Sequence, residues 1–390
     1  MLTGEELCTI FQRYDLTYFC GVPDSTLKHW LHFLDQHRSQ GLTNRIVSIE
    51  RDAVGWAAGY HAATEKIGTV YLQNSGLGNI VNPVTSLLDP AVYNIPVLLL
   101  IGWRGRPGEP DEPQHSRMGA MTEGLLDLMG ICYSLLPDTV QAAEQVVAEA
   151  KRFMTAENAP YALIVPRKTF APSVGGQEEA ASRQYELGRE EALGILLKTL
   201  HKNNVIVATT GKLSRELFEY REAFGSGHAQ DFLMVGSMGL ASSFAAEIAL
   251  QRPEQRVYIL DGDGALLMNA GVLSTIGYYA PKNLVHLVFD NHAYDSTGGQ
   301  PSTSSATDFA RTALANSYRE AATVSSAEEL RDALTRLPGG DGPTMLVIKV
   351  RKGARPDLGR PTTSPVENKL AFMNQWGAYF PDEIRNRAEA

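Results

Sequence analysis

Cysteine is scarce. Cys8, Cys20 and Cys132 are the three in 390 residues, and they form neither a CxxC pair nor a metal-ligand spacing. That excludes a disulfide scaffold and a zinc ribbon, and the thiols read as reduced groups of a cytoplasmic protein. Positive charge is also in deficit. Lys and Arg number 35 against 44 Asp and Glu, a net charge of −9, which is the wrong balance for a nucleic-acid partner. An anionic small molecule stays open, because local cations matter more than the sum. Apolar runs such as Ile95–Ile101 fall far short of the roughly 20 residues that span a bilayer. The opening MLTGEELCTIFQRYDL lacks the basic start and apolar stretch of a secretory signal, so no membrane partner is expected. Low-complexity segments are missing too. With 44% hydrophobic and 20% charged residues, the chain is an ordinary folded protein rather than a disordered one.

What is present is a βαβ rhythm. Strand-like runs fall at Thr17–Phe19, Arg45–Ile49, Thr69–Leu72, Val97–Ile101 and Ala162–Val165. Helical periods lie at Leu7–Phe11, Ala53–Ala63, Asn82–Leu88 and Val140–Met154. After a polar stretch from Ser173 to about Gly188 the rhythm resumes, with strands at Val205–Ala208, Val257–Leu260, Leu284–Phe289 and Met345–Val350. Helices are expected at Arg189–Leu200, Ser214–Ala223, Ala241–Gln251 and Ala327–Leu337. The fold class is therefore α/β: two doubly wound parallel-sheet domains in series, at 1–172 and 189–355, with a linker at 173–188 and a Pro-rich tail at 356–390. No strong sequence repeat relates the halves.

Chemistry concentrates where strands end. Asp261-Gly262-Asp263-Gly264-Ala265 follows the run Val257–Leu260, and the run Leu284–Phe289 ends in Asp290-Asn291. In an open parallel sheet such ends face the ligand crevice. The glycines let backbone approach a phosphate, and Asp263 and Asn291 offer the hard oxygens that suit Mg²⁺ on a diphosphate. A plain Asp-Gly turn is the bland alternative. In the first half, Ile46-Val47-Ser48-Ile49-Glu50 reads as a strand ending in one acid. Gly76-Leu77-Gly78 also follows a strand, but Val81 stands where a dinucleotide fingerprint needs its third glycine, and no acid ends a next strand at the required distance. This argues against a nicotinamide enzyme.

Gly262-Asp263-Gly264 followed by Asp290-Asn291 resembles the cofactor signature of the thiamine-diphosphate-dependent decarboxylase family. The resemblance implies thiamine diphosphate and Mg²⁺ as cofactors. It implies that Asp263, Asn291 and the carbonyl of Ala293 hold the metal, and that Gly211, Gly236, Gly262, Gly264 and Ala265 line the cofactor. Met238 would bend it, and Glu50 would hydrogen-bond its pyrimidine ring as the proton relay. It further implies a pyrimidine-type domain, then a diphosphate-type domain, without the middle domain most members carry. The assembly would be a homodimer or larger homo-oligomer with active sites between subunits.

Further stretches are similar to the phosphonopyruvate decarboxylase branch: Gly21–Ser25, Gln73–Asn79, Ile101–Gly105, Asp111–His115, Ser214–Leu217 and Ser296–Gln300. The implied substrate is a small anionic 2-oxo acid. There are departures. Ile49-Glu50-Arg51-Asp52 stands where that branch has Asn-Glu-Gly-Asn. Leu240 and Asn269 stand where it often has histidine, and are more like sulfopyruvate decarboxylase. A related decarboxylase or carboligase activity is also open. Candidate substrate contacts are Asp24, Ser25, Asn74, Ser75 and Arg104, with Arg106 and Lys212 as further cations. Asp24-Ser25 reads equally as a helix cap. His115, in a stretch that reads as a Pro- and acid-rich loop, is a candidate proton shuttle or a surface histidine.

Overall fold

The computed structural model describes residues 1–37, 41–173, 185–201, 204–336 and 341–377. The chain divides into two compact units, Met1–Glu178 with Ser296–Pro301, and Glu179–Asp295 with Ser302–Ala390. Most of the polar stretch expected as a linker lies outside the described residues.

The first unit holds strands β1 (Tyr18–Gly21), β2 (Thr43–Ile46), β3 (Gly68–Gln73), β4 (Val97–Gly102), β5 (Cys132–Leu135) and β6 (Tyr161–Val165). All neighbours pair in parallel, in the order β2-β1-β3-β4-β6-β5. The second unit holds β7 (Val205–Ala208), β8 (Asp231–Leu233), β9 (Val257–Gly262), β10 (Leu284–Asp290), β11 (Glu320–Val324) and β12 (Thr344–Lys349). Its sheet, also parallel, runs β11-β12-β10-β9-β7-β8. Counted from each unit's own first strand, the two orders are the same. The doubly wound fold class expected from the βαβ rhythm is what the structure has. In each sheet the order reverses beside the first strand, between β1 and β3 and between β7 and β9, where open α/β sheets bind ligands.

Central strands are buried throughout: β4 and β6 are apolar and buried at every residue, and β10 is buried at every residue and apolar except for His286 and Asp290. A strand covered on both faces needs such a run. The four strands without one, β2, β5, β8 and β11, are the sheet edges. None of them is buried at every residue, and no continuous apolar run announces them. In the first unit, Trp30 sets its ring edge-on to Phe11, Phe19 and Tyr71, with centroids 5.4–6.3 Å apart, and locks helices Gly4–Arg13 (α1) and Lys28–Gln36 (α2) onto the sheet.

Two local expectations are corrected. The run Arg45–Ile49 does not end as a strand at Glu50. The strand stops at Ile46, Ile49 is the extended residue before a helix, and Glu50 is the first residue of that helix, Glu50–Thr64 (α3). His115 is not in a loop. It occupies the first turn of the helix Pro113–Leu128 (α5), which Pro113 opens because proline's missing N–H costs nothing at a helix start.

The tail past Pro356 is not merely irregular. Pro365–Asn374 is a helix with a Ser364/Glu367 capping box. Its Asn368 amide accepts from Leu233 N at 3.0 Å and donates to Asp231 O at 2.9 Å, completing the hydrogen bonding of the edge strand β8. Asn368→Ala should strand that buried N–H and C=O and destabilise the protein by about 2 kcal/mol. Urea unfolding checks this: the midpoint falls while the slope is unchanged.

Candidate active site

Three strand ends of the first unit are bound into one cluster. After β1, Asp24 is fully buried. Its Oδ1 accepts from Gln73 Nε2 at 2.5 Å at the end of β3, and its Oδ2 accepts from the N–H groups of Thr26 and Leu27. Burial pushes its carboxyl above the ordinary range, against those bonds and the charge of Arg104. Gly102, ending β4, is glycine of necessity: a Cβ there would stand 2.2 Å from Asp24 Oδ2. The Asn74 side chain is buried and committed, donating to Arg104 O and Thr122 Oγ1 and accepting from Arg104 N. Ser75 donates to Gln73 at 2.7 Å.

Arg104 is held at both ends. Asn74 grips its backbone, and Asp111 grips its guanidinium through Nε at 2.8 Å and Nη2 at 2.5 Å. Nη1 then donates to Ser25 Oγ at 2.9 Å. Burial alone would push the Asp111 carboxyl up, but Arg104 and the N–H groups of Glu112 and Gly105 bring it far below the usual range. The charge of Arg104 is therefore matched while its position is fixed. Because Ser25 accepts from Arg104, its own hydroxyl proton is left to donate. A cavity of about 390 Å³ is lined by Arg106, Glu109, Asp111, Glu112 and Ser116 among others. Acids outnumber cations there, and Arg106 lies over the Trp103 ring at 5.2 Å, so this hollow is not an anion pocket.

Beyond β2, Glu50 is 5% exposed. Its Oε2 accepts from Asn79 Nδ2 at 2.7 Å, and its carboxyl lies over Gly76, where a Cβ would come within 2.5 Å of Oε1. Burial raises its pKa; the Asn79 amide and its own backbone N–H oppose the rise. His115 sits by its backbone against Gly105, and a Cβ on Gly105 would meet the His115 carbonyl.

In the second unit, Gly211 takes φ 106°, a backbone that side chains avoid. Next to it, Thr210 Oγ1 donates to Val235 O at 2.9 Å, tying the β7 and β8 ends together. Gly236 and Met238 follow in a loop whose Ser237 has φ 52°. Met238 is half-buried rather than a core residue. Asn269 Nδ2 donates to Gly239 O at 3.0 Å, which fastens this loop to the helix Asp263–Met268 (α10) that Gly262 precedes. Around Gly262 a Cβ would find nothing within 4 Å, so its backbone borders open space; Gly264 lies under the Tyr294 ring. Ala265 is buried.

Asp263 is 3% exposed and accepts from the hydroxyls of Ser302 and Ser304. Burial pushes its carboxyl up to about 7; the Ser302 and Ser304 hydroxyls and Gly264 N–H oppose, and the nearby Asp290 adds to the rise. Asp290 itself accepts from Ser304 at 2.8 Å and pairs with Lys349 Nζ at 2.5 Å. Asn291 donates to Asp295 at 2.8 Å and accepts from Ala293 N. Asp295 is gripped by Arg189 at 2.7 Å, whose other N–H groups clasp Glu216. Asn291 is thus fixed by a buried ion network. Asp263 is a buried carboxylate whose hydrogen-bond partners are neutral hydroxyls, a donor type that suits a hard cation. Among the described residues no group of three His, Cys, Asp or Glu could hold a metal, and this donor set needs only one carboxylate.

Gln73, Asn79, Thr122, Ser302, Ser304 and Lys349 join these clusters without having been singled out as site residues. Gln73 and Asn79 stood in a matching stretch. The serines lie in a polar run that no periodicity marks.

Family models match both units. Residues 1–128 match the thiamine pyrophosphate enzyme, N-terminal TPP binding domain, and residues 209–348 match its C-terminal TPP binding domain. A phosphonopyruvate decarboxylase of Streptomyces viridochromogenes is 39% identical, over 95% of this chain and 94% of its own. The chain belongs to the phosphonopyruvate decarboxylase family of thiamine pyrophosphate enzymes. Its cofactor is thiamine diphosphate. A second phosphonopyruvate decarboxylase, from Streptomyces hygroscopicus, is 37% identical over 95% of this chain and 93% of its own. A sulfopyruvate decarboxylase of Methanosarcina acetivorans is 29% identical over 76% and 77%. No helix among the described residues is long and apolar enough to cross a membrane.

Gly76→Ala tests how closely the Glu50 carboxyl is placed. The added methyl displaces a side-chain end rather than backbone, so the fold should survive. Shifting a reacting group by about 1 Å costs on the order of 10²-fold in rate. The expected outcome is a loss in kcat of that order, with circular dichroism and thermal midpoint near wild type.

Proposed function

We propose that this chain is a thiamine-diphosphate-dependent 2-oxo acid decarboxylase, a carbon–carbon lyase that converts 3-phosphonopyruvate and one proton to phosphonoacetaldehyde and CO₂. The setting is phosphonate biosynthesis in the cytoplasm, and the assembly is a homodimer or larger closed homo-oligomer. The observation that carries the substrate choice is the Asp111–Arg104–Ser25 cluster, in a chain whose near-full-length relatives are phosphonopyruvate decarboxylases. When bound, thiamine diphosphate supplies a nucleophilic thiazolium carbon and a sink for the electron pair released with CO₂.

The chain's own residues do the rest. Asp263, Asn291 and the Ala293 carbonyl would hold Mg²⁺ against the diphosphate, with Gly211, Gly236, Gly262, Gly264 and Ala265 lining the cofactor. Met238 would supply an apolar contact to the cofactor. Glu50 holds a proton toward the pyrimidine ring. Ser25, by its free hydroxyl proton, and Arg104, by its remaining N–H groups, receive the anionic tail. Asp24, Asn74 and Ser75 position them, and His115 delivers the proton that the product acquires. Sulfopyruvate is the alternative, favoured by Leu240 and by Asn269, which fixes the Met238 loop. It would use the same donors. Product analysis with and without an acceptor aldehyde separates cleavage from ligation.

Two outcomes are expected. Asp263→Ala should abolish Mg²⁺-dependent cofactor binding, followed by tryptophan fluorescence; unchanged affinity with and without chelator places the metal elsewhere. In a head-to-head assay, kcat/KM should rank phosphonopyruvate above sulfopyruvate and both far above pyruvate. Unpaired buried donors can cost on the order of 10⁴-fold where water is excluded, and less where it enters. Ser25→Ala should hurt phosphonopyruvate more than pyruvate, whereas His115→Ala should slow both. Equal wild-type values for phosphonopyruvate and pyruvate would sink the anionic-tail reading, and a preference for sulfopyruvate would move the enzyme to the alternative.

A further inference from the structure

The elements packed against α3 are β1, β3, β4 and the segment Leu77–Leu88. None carries a charged side chain. Their titratable groups are Tyr18, Cys20 and Tyr71. Burial pushes Tyr18 and Cys20 up to about 12, so both are neutral near pH 7, and Tyr71 donates to Asn44. On α3 itself, Arg51 and Asp52 are exposed, and Tyr60 and His61 lie in its last turns. Arg45 of β2 is exposed and acts on Tyr18. Glu50 is thus a buried acid in an uncharged setting, and Asn79 makes the one side-chain hydrogen bond to it among the described residues.

That bond is also asymmetric. The Asn79 N–H is aimed at Oε2, while Oε1 lies on the side that Gly76 keeps clear. A donor aimed at one oxygen favours lone-pair density there, so a proton on this carboxyl group resides on the other. We infer that Asn79 is a positioning residue for Glu50, holding Oε2 so that Oε1 is the oxygen that carries and passes the proton. The inference rests on the reading of Glu50 as the proton relay. Asn79 is exposed and adds little to the core, so its variants should fold.

The test needs a readout that a merely structural role leaves alone. In the cofactor-free protein, ¹³C NMR of δ-labelled glutamate follows the Glu50 titration, assigned by its loss in Glu50→Gln. Asn79→Leu should raise the midpoint by about half to one pH unit, because a hydrogen bond to the charged form is lost and water replaces part of it. Asn79→Gln should restore some of the difference. In the cofactor- and Mg²⁺-loaded enzyme, exchange of the cofactor C2 proton for deuterium should slow about tenfold in Asn79→Leu, with cofactor affinity within about twofold of wild type. A wild-type midpoint and exchange rate in Asn79→Leu would overturn the inference. Wild-type exchange in Glu50→Gln would instead overturn the relay role of Glu50, and the midpoint would still decide whether Asn79 holds Oε2.

Discussion

A carboxylate taken out of water is costly unless donors or a cation meet it, and the strand ends of both sheets are organised around that requirement. Asp24, Glu50, Asp261, Asp263 and Asp290 are all buried, and each stands at or just past the carboxyl end of a strand. Their partners are mostly neutral: an amide from Gln73 for Asp24, an amide from Asn79 for Glu50, hydroxyls from Ser302 and Ser304 for Asp263, and a hydroxyl from Ser242 for Asp261. Neutral donors stabilise the charge without cancelling it. That leaves these groups able to hold a proton or a cation, whereas an ion pair would have consumed them.

Where an ion pair does occur, its job is placement. Asp111 cancels the charge of Arg104 and fixes the plane of its guanidinium. Lys349 matches Asp290. Arg189 spans Glu216 and Asp295, and Asp295 in turn holds the Asn291 amide. Such pairs add little net stability, but a planar fork clasped on two sides has one geometry. Chemistry that depends on positions good to a fraction of an ångström benefits from that restriction.

The parts of the fold that were legible in the sequence were those with a continuous apolar run. The strands β3, β4, β6, β7, β9, β10 and β12 fall close to where the runs place them. The strands β5, β8 and β11 escaped because an edge strand, less completely covered than a central one, carries no continuous apolar run. Glu50 was found for its place after an apolar run, yet it opens a helix, since Val47–Ile49 continue the apolar stretch beyond the last paired residue of β2. His115 was found through its neighbours in the matching stretch, but the Pro and acids around it concealed a helix start. Ser302 and Ser304 carried no signal at all: a serine that satisfies a buried acid some forty residues away looks like any other serine.

By itself, the sequence determined the class of the fold and the residue types that stand at the ends of β9 and β10. These depend on local pattern and on residue type, which a linear string records. Tertiary structure decided which side chains are spent. Asn74 and Asp24 could have faced a ligand, but they are committed to Arg104 and Gln73. Ser25 keeps a free proton because Arg104 donates to it, and Glu50 presents one particular oxygen because Asn79 occupies the other. Whether a polar group is available depends on the partners that burial brings within about 3 Å, and those partners come from strands far apart in the chain.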